Sequence, residues 1–91
     1  DFWPDAFDRT IVDEWETVTD AEAFAMTRRV VREEGLLVGG SGGMAIEGAL
    51  RAARRHHDRL VVVIIPDGGR NYVSKIFNDD WMREHGFEGA L

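Results

Sequence analysis

The residues most able to do chemistry begin with a run of five, Gly39-Gly40-Ser41-Gly42-Gly43. Consecutive glycines let backbone N–H groups approach a ligand, and the start of a following helix favours negative charge. By itself the run therefore suggests a phosphate or carboxylate contact. It is neither a Gly-Lys-Ser/Thr phosphate loop nor a G-x-G-x-x-G dinucleotide turn, and the plain alternative is a tight strand-to-helix turn that needs small residues to pack. Ser41 presents a hydroxyl there, able to hydrogen-bond a ligand and equally able to cap a helix. A nucleophilic role is disfavoured, because the G-x-S-x-G elbow is missing and no histidine partner is apparent. A second block, Pro66-Asp67-Gly68-Gly69-Arg70-Asn71-Tyr72, could bring Asp67 or Tyr72 to a ligand, or simply turn the chain with Arg70 paired to a carboxylate. His56 and His57 fall at a helix end where a cation suits the dipole, His85 reads as a surface residue, and Asn78-Asp79-Asp80 reads as helix capping rather than a calcium loop. No metal site is expected.

The elements that would position these residues alternate. Glu14 to Val18 could form a short strand. Thr19 opens a helix in a capping-box arrangement with Glu22, running from Asp20 to Glu34 and stopping at Gly35. On its wheel Ala23, Phe24, Met26, Val30 and Val31 gather on one side, with Arg28, Arg29, Arg32 and Glu33 on the other. Leu36 to Val38 then reads as a short strand entering the glycine turn, followed by a helix from Met44 to His57. In that helix Ala45, Ala49, Ala52 and Ala53 share a face with Ile46 and Leu50, and Glu47 and Arg51 form a solvent-facing pair. Leu60 to Ile65 is apolar without alternation and rich in β-branched residues, as in a parallel strand covered on both faces. A helical turn over Asn71 to Phe77 follows, then a short helix near Trp81 capped by Asp79 or Asp80. The class predicted is α/β, with both glycine turns at the carboxyl ends of strands, where ligands of open sheets sit.

Composition narrows the function. Eleven Lys and Arg against seventeen Asp and Glu give a net charge of −6, which lacks the positive field that nucleic acid or an anionic membrane surface would require. No apolar run approaches the roughly 20 residues of a membrane span. With no cysteine there is neither a disulfide framework nor a catalytic thiol, in keeping with a cytoplasmic chain. The opening Asp1-Phe2-Trp3-Pro4-Asp5 is neither an initiator methionine nor a signal peptide, so the start reads as a cut inside a longer protein. Phe2, Trp3, Trp15, Phe77, Trp81 and Phe87 read as packing surfaces rather than platforms for bases.

Two blocks in order, Arg32-Glu33-Glu34-Gly35-Leu36-Leu37-Val38-Gly39-Gly40-Ser41-Gly42-Gly43 and Val62 to Met82 with its Arg70-Asn71-Tyr72, Ser74-Lys75 and Trp81-Met82, carry a resemblance. The chain resembles the cystathionine β-synthase and cysteine synthase family of pyridoxal-phosphate enzymes, of the tryptophan-synthase-β type, over nearly its whole length. The second block is more similar to the cystathionine β-synthase branch. The resemblance implies a C-terminal part, residues 1–91, of the catalytic domain. Its fold would be a fragment of the open, mainly parallel sheet of the larger domain of a fold-type II enzyme. The cofactor implied is pyridoxal 5′-phosphate, with Ser41 at the pyridine nitrogen, Gly40 beside it among the cofactor-binding residues, and Pro66 and Asp67 approaching the same ring edge.

The implied reaction is β-replacement joining L-serine and L-homocysteine, with cysteine synthase chemistry on O-acetylserine and sulfide as the alternative. The family's Schiff-base lysine and its phosphate loop are not among these residues. The one lysine, Lys75, lies outside that motif, so no catalytic residue is assigned and the chain alone is expected to be inactive. Partners would be small amino-acid substrates and the rest of the parent enzyme, itself a homo-oligomer. From residues alone, a non-catalytic α/β module binding an anion or a protein through the glycine turn stays open.

Overall fold

The computed structural model describes residues 3–91, so Phe2 lies outside it. Two helices form the body. Helix α1 spans Asp20–Glu34 as predicted. Thr19 Oγ1 accepts from the Glu22 backbone N–H at 3.2 Å, and Gly35 closes the helix at φ 68°, a left-handed conformation in which a glycine has no steric cost. Helix α2 spans Gly40–Arg55. It therefore starts four residues before the predicted Met44, because the glycine run is the first helical turn and not a loop leading to it.

The reason lies in packing rather than propensity. A Cβ on Gly43 would stand 1.9 Å from Thr27 Oγ1 and 2.5 Å from the Ala23 carbonyl, and one on Gly42 would meet Val38 and Ile65 at 3.0 and 3.2 Å. The glycines thus let α2 lie directly on α1, and tertiary contact overrides their poor helix propensity. Thr27, completely buried at that crossing, satisfies its hydroxyl by donating to the Ala23 carbonyl at 2.8 Å. The core centres on Met26, Val30 and Val38, with Ile46 packed against them.

The predicted α/β sheet fragment is not formed. Among the described residues the β-pairing is one antiparallel bridge, Val38 to Gly68, closed by Gly69 N–H donating to the Leu37 carbonyl at 3.0 Å and Gly39 N–H to the Asp67 carbonyl at 3.2 Å. Glu14 to Val18 and Leu60 to Ile65 form neither helix nor strand, and Leu60, Val62 and Ile64 are 92%, 78% and 77% exposed. A β-branched apolar run biases its own backbone toward extension. A strand also needs a neighbour to take its N–H and C=O groups, and among the described residues no backbone hydrogen bond joins this run to another segment.

Beyond the bridge, a 3₁₀ turn at Gly69–Tyr72 leads through Ile76 to the short helix α3, Asp79–Glu84. Its cap is Asn78, whose Oδ1 accepts from Trp81 N–H at 3.0 Å, rather than the predicted Asp79 or Asp80. Phe24 of α1 packs edge-on against Phe87 and Trp81, with ring centroids 4.8 and 6.1 Å away, and Met82 is wholly buried beside them. Arg28, placed by periodicity on the outer face, instead donates to the Ile76 carbonyl at 2.9 Å and pairs with Asp79, clamping the C-terminal segment to α1.

Candidate functional site

The site forms where the start of α2 meets the 66–76 segment. Two predicted side chains converge there on the carboxylate of a third: Ser41 Oγ donates to Asp67 Oδ1 at 3.3 Å, and the Tyr72 hydroxyl donates to Asp67 Oδ2 at 2.9 Å. Gly39 makes this approach possible, since a Cβ there would lie 2.0 Å from Asp67 Oδ1. The Asp67 carboxylate holds the Tyr72 phenol above its ordinary range near 10, so the phenol remains a hydrogen-bond donor.

Asp67 also answers the anion expectation. Helix α2 has no side-chain cap of its own at Gly39, and Asp67 brings a carboxylate over this end of the helix. The negative charge that a helix N-terminus favours is thus supplied from within the chain. A phosphate would meet a resident carboxylate at that position.

Beside this cluster opens a cavity of about 340 Å³, walled by Phe24, Met44, Ile76 and Trp81 and edged by Ser41 and Tyr72. Gly40 borders it, and a Cβ there would meet Ile76 Cδ1 at 3.1 Å and Phe24 Cε1 at 3.4 Å. Of the four site residues expected from sequence, Ser41 and Gly40 line the cavity. Pro66 and Asp67 are exposed and outside its wall, with Asp67 reaching it only through Ser41 and Tyr72. Apolar walls with a few polar groups on one edge are the general make-up of a small-molecule site.

The aromatic wall was not legible as a site, because Phe24, Ile76 and Trp81 come from three separate segments. Met44 could have been found: once α2 begins at Gly40, it follows Ser41 by three residues and shares its face. Lys75 borders the same cavity. The histidines lie elsewhere: His56 Nε2 is 3.2 Å from Glu14 Oε1 at the end of α2, and His85 stacks on Trp81. Among the described residues no group of three His, Cys, Asp or Glu converges as a metal site would require, and no helix is long and apolar enough to cross a membrane.

Over residues 2–67 the sequence matches the family described as pyridoxal-phosphate dependent enzyme. The chain belongs to that family. Among curated relatives of this pyridoxal-phosphate family member, cystathionine beta-synthase of Oryctolagus cuniculus is 49% identical over 88 residues, which is 96% of this chain and 16% of the relative. The Dictyostelium discoideum protein of the same name is 47% identical over 96% of this chain and 18% of its own length. The Saccharomyces cerevisiae one is 34% identical over 93% of this chain and 18% of its own. The chain thus spans 16–18% of the length of these relatives.

Proposed function

We propose that this chain is the C-terminal part of the catalytic domain of an enzyme that uses pyridoxal phosphate to join L-serine and L-homocysteine, with loss of water, into cystathionine. The observation that carries the reading is the identity of 49% with a cystathionine beta-synthase across 96% of the chain. The cavity supports it: Ser41 offers a hydroxyl on the edge of an aromatic-walled space, and Gly40 leaves room for a ring against Phe24 and Ile76. These residues would hold the ring edge of the cofactor, whereas the α2 end beside Asp67 is unsuited to its phosphate.

Bound pyridoxal phosphate supplies the electron-withdrawing ring that loosens bonds at the amino acid's α-carbon. The contribution of this chain is to set the strength of that withdrawal. The Ser41 hydroxyl is neutral, so it donates to a ring nitrogen without holding it protonated as an aspartate would, which moderates the sink and suits replacement at the β-carbon. Asp67 and the Pro66 turn position Ser41. The isolated chain is inactive in this reading; the intact protein is a cytoplasmic homo-oligomer.

The test is to load the intact protein with pyridoxal phosphate and measure cystathionine formation from serine and homocysteine. Turnover of O-acetylserine with sulfide in its place would reassign the protein to cysteine synthesis, and binding of simple anions without turnover would make it a binding module. Ser41→Asp should lower kcat about 100-fold, the scale on which one misplaced electrostatic group costs a transition state.

A further inference from the structure

We propose that Tyr72 is a positioning residue for the Ser41 hydroxyl, acting through the Asp67 carboxylate; this rests on the reading of Ser41 as the contact to the cofactor ring. A serine hydroxyl has one proton to give. Here it is given to Asp67 Oδ1 across 3.3 Å, while an ordinary O–H···O bond is about 2.7–2.8 Å long. Tyr72 holds the other carboxylate oxygen across 2.9 Å, and Gly39 N–H fixes the Asp67 backbone by donating to its carbonyl at 3.2 Å.

The carboxylate therefore has its firm side-chain bond with Tyr72 and its weak one with Ser41. That weak bond aims the Ser41 hydroxyl yet releases its proton to a better-placed acceptor in the cavity. Both hydroxyl-bearing residues line the cavity and Asp67 does not, so the carboxylate lies behind the two groups that a ligand would meet. Gly39 keeps the corner open, since a Cβ there would also lie 3.0 Å from the Tyr72 ring. The phenol, ordinarily protonated up to about pH 10, is pushed higher still by Asp67, so it stays a donor across the neutral range. Without the Tyr72 hydroxyl, Asp67 would turn its full demand for a donor on Ser41 and withdraw that proton from the ring.

The experiment uses the intact protein loaded with pyridoxal phosphate and reads the absorbance and fluorescence of the bound cofactor together with its Kd. Tyr72→Phe is expected to raise Kd about fivefold and to shift the absorbance band in the same direction as Ser41→Ala. The double variant should show no change beyond Ser41→Ala alone. Adding Asp67→Asn to Tyr72→Phe removes the competing charge and should restore Kd, which a merely structural role for Tyr72 would not produce. If Ser41→Ala moves the band and Tyr72→Phe does not, or if the two effects add, the relay through Asp67 is overturned while Ser41 keeps its assignment. If Ser41→Ala leaves the band in place, the assignment of Ser41 falls and the relay with it. Should Tyr72→Phe not accumulate as folded protein, Asp67→Asn alone decides: with the competing charge gone Kd should not rise, and a Kd raised as far as in Ser41→Ala overturns the proposal.

Discussion

Gly43 faces α1 so closely that the smallest side chain would overlap both Thr27 Oγ1 and the Ala23 carbonyl, the second of which is helix backbone and cannot swing aside. Gly43→Ala should therefore force the two helices apart and cost about 3 kcal/mol, at the upper end of overpacking penalties. Gly48, on the same helix, is the control: its added Cβ would meet Glu16 and Val18 at ordinary distances of 3.7 and 3.9 Å. Gly48→Ala should stabilise by about 0.5–1 kcal/mol through helix propensity. Thermal melts of the two variants decide, and a Gly43→Ala protein as stable as the parent would refute the close-packing account. From sequence, the glycine run suggested an anion contact or a tight turn, since it reads the same whether it frees a loop or admits a neighbouring helix.

At the scale of elements, α1 was legible to the residue because its signals are local: a threonine cap, a glycine stop and an apolar stripe. The contacts that fasten it to the rest were not. Arg28 shares its sequence environment with Arg29, yet Arg28 is drawn inward to the Ile76 carbonyl and Asp79 while Arg29 pairs with Glu33 at the surface. Arg28→Ala should cost about 2 kcal/mol and loosen α3, measurable as faster amide exchange there, whereas Arg29→Ala should be near neutral. Arg51 keeps its predicted i,i+4 pairing with Glu47 at 3.8 Å, and it also bonds Glu22 and the Thr17 carbonyl, the latter at 2.9 Å, tying α2 to the cap of α1.

The bond from Arg51 is the main cause that depresses the Glu22 pKa, and Arg55, followed by His56, depresses that of Glu14. Depressed carboxylates stabilise the fold above their ordinary value of 4.5 and lose that contribution as pH falls through the lowered folded values. Melting temperature should therefore decline below about pH 4.5. Glu22→Gln should lower it at neutral pH and flatten the decline, and a parallel fall in both proteins would exclude Glu22 as a contributor.

Taken whole, the chain packs its two long helices on one another and leaves an apolar run uncovered. Leu60, Val62 and Ile64 are exposed on a segment that, among the described residues, is paired with no strand. Such a run invites pairing between molecules. The isolated 91-residue chain should self-associate, and Val62→Lys with Ile64→Lys should suppress the light scattering that reports it. In the intact protein, where the relatives are about six times longer than the matched stretch, the same pair should impair folding; tolerance there would mean the run is also free in the parent. The aromatics divide in the same way. Trp81 and Phe87 turn inward on Phe24, while Trp3 and Phe7 stack on one another, 4.9 Å apart, and Trp3 stays 66% exposed.

The sequence by itself determined whatever depends on neighbours along the chain: the span of α1 with its cap and stop, the acidic charge, and the two blocks that mark the pyridoxal-phosphate family. It also named Ser41, Asp67 and Tyr72, which the fold brings together. Only the tertiary structure decided that the glycine run is helical, that Arg28 faces inward, and that the apolar run from Leu60 to Ile65 stays unpaired. Each of these turns on a partner distant in the chain. Helical hydrogen bonds close within four residues, whereas close helix packing, a buried cation and a paired strand all depend on where another segment comes to lie.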